Sequence, residues 1–382
     1  MTPPPSTPSD SIPSVHQRVS HHTRREFLQT SLAALSGFAL SSCGWTLADV
    51  RAAPREQKAS DVLHIYTWAN YTDDDLLAEF TAQTGFRVVR GIFGANEEML
   101  AKIQAGGGGQ YSIIYPSDYT VAQMIELKLL RPLDPSRLAG LDNLLPKFLD
   151  SPNDPGNKYS IPVSWGTTGL VYNADKIKDE PKDWRYLWEN KDTLSRKISL
   201  LDDVREVMGA TLRMLGYSYN SKNPKELEAA FKKLVELKPA ISTITTDAWK
   251  DPLIAGDLYI AMAYSVDALS AAKENPNLRY VIPQSGTSLW NDRMVIPRTA
   301  PNIDAAYAWL NYMLEPSVAA QLSERLLFAT PNQAAYEVLP ISLQEDKNLF
   351  PSDALLAKSE NIEPLGTFSE VYENYWTRLA VS

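Results

Sequence analysis

The sequence predicts an α/β fold in two domains, on three observations. Short runs rich in β-branched and aromatic residues alternate with segments of helical period. The 340 residues that follow Ser42 in the 382-residue chain exceed what one hydrophobic core usually serves. The segments that close the predicted strands carry aromatic and acidic residues time after time, and open α/β sheets bind their ligands at those ends.

Taken in order, a strand at 63–68 precedes an amphipathic helix at 73–84, whose acidic trio Asp73, Asp74 and Asp75 suits a helix N-terminus. Residues 87–93 precede a helix at 97–105, and 111–115 precede one at 120–128. A strand at 197–201 leads to a helix at 204–215, and Pro224 opens a run rich in Leu, Lys and Glu, as a first helical turn allows. The last such pair is 258–264 with 267–274. No internal repeat is present. Gly106 to Gly109 is followed by no Gly-Lys-Ser/Thr and preceded by no strand, so it reads as a helix stop and flexible turn. The chain therefore shows no nucleotide loop, and no cofactor is expected.

The first segment reads as an address. Thr23-Arg24-Arg25-Glu26-Phe27-Leu28-Gln29 resembles a twin-arginine export signal, and Leu40-Ser41-Ser42-Cys43 resembles a lipobox around the chain's single cysteine. The apolar stretch at 31–42 is far shorter than the roughly 20 residues that span a bilayer, and no later stretch is long and apolar enough. Residues 1–42 are thus expected to be a removed signal peptide, Cys43 a lipidation site, and 43–60, with Pro54, a polar tether. The folded part should begin near Asp61 and work in the periplasm or at the outer face of the membrane, lipid-anchored through more than one acyl chain.

Beyond residue 42 the chain holds 34 basic and 44 acidic residues, a formal charge near −10, which argues against nucleic acid as a partner. Three of its four histidines, His16, His21 and His22, lie in the discarded segment. A nucleophilic triad would rest on His64 alone, which sits in an apolar run and reads as a strand residue. A zinc site would lack its usual Cys and His ligands, so no metal is expected.

Chemistry collects in five segments: Trp68-Ala69-Asn70-Tyr71, Pro116-Ser117-Asp118-Tyr119, Asp202-Asp203-Val204-Arg205-Glu206, Tyr264-Ser265-Val266-Asp267, and Leu289-Trp290-Asn291-Asp292. Aromatic faces attract cations, with roughly 2 kcal/mol available to a desolvated ammonium, and carboxylates form charge-assisted hydrogen bonds to N–H donors. The combination suits an elongated cation. Local alternatives stand beside this reading. Asp203 and Glu206 have capping-box spacing, Arg205 has the position to pair with either of them, Ser117 and Asp118 suit a helix cap, and Trp68 suits a core.

Residues 63–379 resemble the spermidine/putrescine-binding proteins of bacterial polyamine transporters. The resemblance rests on Tyr66-Thr67-Trp68-Ala69-Asn70-Tyr71, Tyr115-Pro116-Ser117-Asp118-Tyr119, Tyr159-Ser160-Ile161-Pro162-Val163-Ser164-Trp165-Gly166, Leu201-Asp202-Asp203-Val204-Arg205-Glu206-Val207, Leu289-Trp290-Asn291-Asp292 and Ala329-Thr330-Pro331-Asn332. It implies a two-lobed periplasmic-binding-protein fold of type II with the ligand cleft between the lobes. One lobe would comprise 61–166 and 291–340, the other 167–290 and 341–382, with crossings near Trp165, Trp290 and Pro340.

By the same resemblance, Trp68, Tyr71, Tyr119, Tyr264 and Trp290 box a methylene chain, Ser117 contacts an amine, and Asp203, Glu206 and Asp292 hold the nitrogens. Asp267 matches an acid of putrescine-preferring relatives, and Tyr264 stands in place of the usual tryptophan. Three positions depart from the pattern: Asn70 replaces Glu or Asp, Phe328 replaces tyrosine, and Ile362 stands where glutamine is expected. The implied function is non-catalytic: a monomer that captures a polyamine and passes it to a membrane permease driven by a separate ATPase. Two alternatives are the same fold carrying another nitrogenous solute, such as γ-aminobutyrate or an amino acid, and a secreted hydrolase. A ligand carboxylate would look to Arg205 or Arg293. For a hydrolase, Asp203 and Glu206 lie too close together to flank a scissile bond.

Overall fold

The structure is a computed structural model that describes residues 61–381; the signal, lipidation and tether readings lie outside the described residues. Ten strands build the sheet: β1 (Val62–Thr67), β2 (Arg87–Ile92), β3 (Ile113–Ile114), β4 (Ser160–Asn173), β5 (Ile198–Leu200), β6 (Ile241–Ile244), β7 (Ile260–Tyr264), β8 (Leu278–Val281), β9 (Ser288–Val295) and β10 (Glu360–Asn361). Their order is β2-β1-β3-β9-β4-β7-β5-β6, with β10 beside β9 and β8 beside β4. The ends are parallel, β1 with β2 and β3, and β5 with β6 and β7. The middle is antiparallel, because β9 and β4 run against each other and against their outer neighbours β3 and β7.

The principal helices are α1 (Asp74–Thr84), α2 (Asn96–Gln104), α3 (Asp118–Glu126), α4 (Val204–Met214), α5 (Pro224–Leu237), α6 (Ser265–Glu274) and α7 (Ile303–Leu314). Their starts follow from local chemistry. Asp73 caps α1 through Leu76 N at 2.7 Å, and Gly85, at φ 79°, ends it. Asn223 caps α5, with Pro224 in its first turn. All the expected strand–helix pairs are present, with ends shifted by one to three residues. The strand expected at 111–115 shrinks to Ile113–Ile114, although Ser112 N still donates to His64 O at 2.7 Å and Tyr115 N to Tyr66 O at 3.0 Å. Residues 107–110 form a single 3-10 turn after Gly106 at φ 98°, in keeping with the glycine run as a helix stop.

Two cores flank the antiparallel middle. Leu63, Ile65, Ile113, Leu76, Phe80 and Trp309 pack β1 and β3 against α1 and α7. On the other side Leu170, Ile198, Leu200, Met208, Leu234 and Ile260 join β4, β5 and β7 to α4 and α5. A smaller cluster of Phe148, Trp165, Ala329 and Leu349 lies beside β4. β4 is buried along all 14 of its residues and pairs first with β9, then with β7 and β8, so it runs from one core into the other.

One expectation needs correcting. Leu289 to Asp292 does not follow a strand; it lies within β9. Buried Asp292 and Arg293 interrupt the apolar pattern that marks a strand, and Pro162, Ser164 and Gly166 do the same for β4.

Candidate functional site

A cavity of about 310 Å3 opens between the two cores, and eleven of the twelve side chains singled out by sequence line it: Trp68, Asn70, Tyr71, Ser117, Tyr119, Asp203, Glu206, Tyr264, Asp267, Trp290 and Asp292. Phe328 does not. It is 1% exposed and sits behind Tyr71, with ring centroids 5.3 Å apart. Ile362 lines the cavity as an apolar surface.

One group of acids centres on Asp292. The register of β4 against β9 slips between Pro162 and Ser164, a bulge at a residue pair whose proline has no N–H to give. Beyond the bulge Ser164 Oγ donates to Tyr71 OH at 3.1 Å, and Tyr71 OH donates to Asp292 Oδ2. Ser117 Oγ donates to Asp292 Oδ1 at 2.6 Å and is itself held by Asn96 Nδ2 at 3.0 Å. Ser117 occupies the N-cap position of α3, yet its hydroxyl serves Asp292 instead of capping. Asp267, in the first turn of α6, accepts from Asn70 Nδ2 at 2.6 Å. Burial pushes both Asp292 and Asp267 up to about 6.

The second group is built on the start of α4. Asp203 is its N-cap: Oδ1 accepts from Arg205 N at 2.9 Å and Glu206 N at 3.1 Å, while Oδ2 accepts from Tyr264 OH at 2.9 Å. The capping reading and the site reading of Asp203 thus hold together, one for each oxygen. Glu206 does not complete the box. Its carboxylate accepts from Ser288 Oγ at 2.8 Å and Tyr219 OH at 3.0 Å, and burial followed by the Asp203 charge raises it to about 8. Gly209 makes this possible, since a Cβ there would stand 2.0 Å from the Tyr219 ring. From the other core, Tyr119 on α3 reaches the same end, where Asn96 Nδ2 donates to its hydroxyl at 3.1 Å.

Neither arginine neutralises these acids. Arg205 Nη2 donates to Asn220 Oδ1 at 3.0 Å, and its guanidinium lies 5.4 Å from the Tyr119 ring centre and 5.5 Å from that of Tyr372. Arg293 is fully buried and pairs with Asp118 at 3.1 Å, which takes Asp118 out of the helix-capping role. Asp203, Glu206, Asp267 and Asp292 enter no ion pair among the described residues.

Aromatic rings span the space between. Trp290 lies across β4 at Gly166, where a Cβ would meet Trp290 Cζ2 at 2.2 Å, and Tyr264 meets Trp290 edge to face with centroids 6.2 Å apart. Trp68 is half-buried at the wall and packs on Phe93, with centroids 4.4 Å apart, so it serves both core and cavity.

Sequence reasoning missed Asn96, Ser164, Tyr219 and Ser288, which orient the acids, and Asp247 and Lys147, which line the cavity. Asp247 follows β6, so the strand-end rule finds it once that strand is recognised. Lys147 Nζ sits 3.9 Å over the Trp165 ring. Among the described residues no group of three or more His, Cys, Asp or Glu is arranged to hold a metal ion, and no helix is long and apolar enough to cross a membrane.

Comparison with known proteins places these observations. The profile of bacterial extracellular solute-binding proteins matches residues 75–351. A spermidine/putrescine-binding periplasmic protein of Salmonella typhimurium is 35% identical over 323 residues, covering 84% of this chain and 92% of that protein. The solved spermidine/putrescine ABC transporter substrate-binding protein PotD of Streptococcus pneumoniae is similar at a TM-score of 0.73 and 40% identity, covering 84% of this chain and 99% of that one. The Tp0655 (TpPotD) lipoprotein of Treponema pallidum gives a TM-score of 0.74 at 27% identity, over 83% of this chain and 99% of the other.

Proposed function

The chain belongs to the bacterial extracellular solute-binding protein family, among its spermidine/putrescine-binding members, and from that premise we propose that it is the polyamine-capturing component of an ABC transporter. The observation that carries this reading is the pairing of two acidic groups, each supplied with hydroxyl donors and free of internal cations, across walls of aromatic rings. An ammonium brings to each group the positive charge that the protein withholds. The alkyl chain between the nitrogens lies on the rings, and closure of the two lobes about β4 and β9 desolvates both kinds of contact together. Micromolar capture requires about −8 kcal/mol, within reach of a few such contacts.

The lobes in this reading are 61–166 with 291–340 and 167–290 with 341–382. The bound amine is passed to a permease served by a separate ATPase, and the protein, a monomer, performs no turnover. Its amino-terminal segment supports export by the twin-arginine route and lipidation at Cys43, which would hold it at the outer face of the membrane. The basic partner that a ligand carboxylate would need is less well provided, since Arg205 and Arg293 are both engaged elsewhere.

Titration calorimetry is the test. One putrescine or spermidine should bind per chain, unchanged in mass afterwards. Binding of γ-aminobutyrate with no heat from either polyamine would sink the reading. Lipid attachment is checked separately: Cys43→Ala should release the protein from the membrane fraction.

A further inference from the structure

Asn70 and Asp267 stand 197 residues apart in the chain and meet at 2.6 Å, amide nitrogen to carboxylate oxygen. Asn70 follows β1 and Asp267 opens α6, so the bond ties the two walls of the cavity together. Asn70 and Asp247 both line the cavity while remaining exposed, which marks this side as its mouth. The amide is neutral, so it closes on Asp267 with no ligand cation between them. A carboxylate at position 70 would be repelled by Asp267 at that distance unless an ammonium lay between.

We propose that the Asn70–Asp267 hydrogen bond is a latch over the cavity mouth that makes Asn70 a specificity-determining residue, selecting a diamine over a longer triamine. The inference rests on the polyamine reading above and says which cargo that site takes. Inside the latch there are two acidic groups, Asp292 with Asp267 and Asp203 with Glu206, each suited to one terminal ammonium. Asp267 keeps its second oxygen free for that role. A third nitrogen and its carbons must leave through the mouth toward Asp247, and that path parts Asn70 from Asp267.

The experiment is calorimetry of putrescine and spermidine on the wild-type chain, Asn70→Ala and Asn70→Asp, with melting curves confirming that each is folded. The wild type should bind putrescine at least tenfold more tightly. Asn70→Ala, which removes the latch without adding charge, should move the affinity ratio at least threefold toward spermidine. Asn70→Asp, which also offers a carboxylate to the third nitrogen, should move it at least tenfold. A wild type that holds spermidine as tightly as putrescine overturns the latch whatever the variants do. So does a ratio unmoved in both variants, with the polyamine reading left standing. Binding of neither amine by folded wild-type protein removes that reading and the latch with it.

Discussion

The two acidic ends of the cavity are built in opposite ways. Asp203 and Glu206 share one helical turn, and their supports lie mostly in the same half of the molecule: the backbone N–H groups of α4, Tyr219, and Tyr264 at the end of β7. Asp292 and Asp267 come from a strand and a helix, and their partners Ser117, Tyr71 and Asn70 come from the loops around β1, β3 and α3. The first end is held by local structure and stands ready before any ligand arrives. The second exists only when the two cores approach. A receptor built this way can engage one nitrogen first and use the other to report closure.

The largest effects should come from breaking the assembled end. Asp292→Ala is expected to weaken polyamine binding by about 100-fold, near 3 kcal/mol, because an ammonium is then buried without its partner. Calorimetry reads this loss, and unchanged affinity would remove Asp292 from the site. Asp203→Ala should also weaken binding but adds a cost that Asp292→Ala lacks. It uncaps α4, lowering the stability of the unliganded protein by about 1 kcal/mol. Equal melting temperatures for the two variants would contradict the contrast between a locally held and an assembled end.

Next in size is the wall between the ends. Gly166→Ala places a Cβ 2.2 Å from Trp290 Cζ2 and 2.5 Å from Ser265 Oγ. Overpacking of this kind costs about 1–3 kcal/mol, and the indole must swing away from the cavity. Binding should fall about tenfold, with a matching drop in the unfolding midpoint. Affinity unaffected by this change would show that Trp290 does not contact the cargo.

The contrast between the two ends also explains what the sequence reveals. Asp203 and Glu206 were legible because strand, cap and helix follow one another within a few residues. The dual use of Asp203 was not, since nothing local tells that its second oxygen faces Tyr264. Ser117 was read as a cap because α3 does begin there; only tertiary structure turns its hydroxyl to Asp292. The long strands β4 and β9 escaped because they bury Ser164, Asp292 and Arg293 among apolar neighbours, which erases the alternation that marks a strand. The bond between Asn70 and Asp267 has no local signature at all. Motif resemblance, not periodicity, put Asp292 and Trp290 in the site, and it also put Phe328 there, which the fold holds one layer behind.

Titration sharpens the comparison further. Between the ordinary carboxylate value of 4.5 and about 8, the folded unliganded protein keeps on Glu206 a proton that the unfolded chain has released. Asp267 and Asp292 do the same between 3.8 and about 6. The unfolded state therefore binds fewer protons across these windows, and stability falls as pH rises through them. The unliganded melting temperature should decline from pH 5 to pH 8, and Glu206→Gln should flatten the upper part of that decline. A polyamine favours the ionised acids, so its affinity should rise over the same range with proton release, seen as a dependence of binding enthalpy on buffer. A melting temperature that climbs with pH instead would mean that these acids are not buried without cations.

The smallest change expected is the most discriminating for the locally held end. Tyr219→Phe removes one hydroxyl donor from Glu206 and leaves Ser288 in place, a net cost of about 1 kcal/mol. Because the lost bond favours the ionised carboxylate, Glu206 should rise further and the decline of stability should extend to higher pH. Affinity should fall less than about fivefold, since the remaining hydroxyl and the Asp203 cap still orient the pair. If Tyr219→Phe instead costs as much binding as Asp292→Ala, this end is no more preformed than the other, and closure must be assembling both.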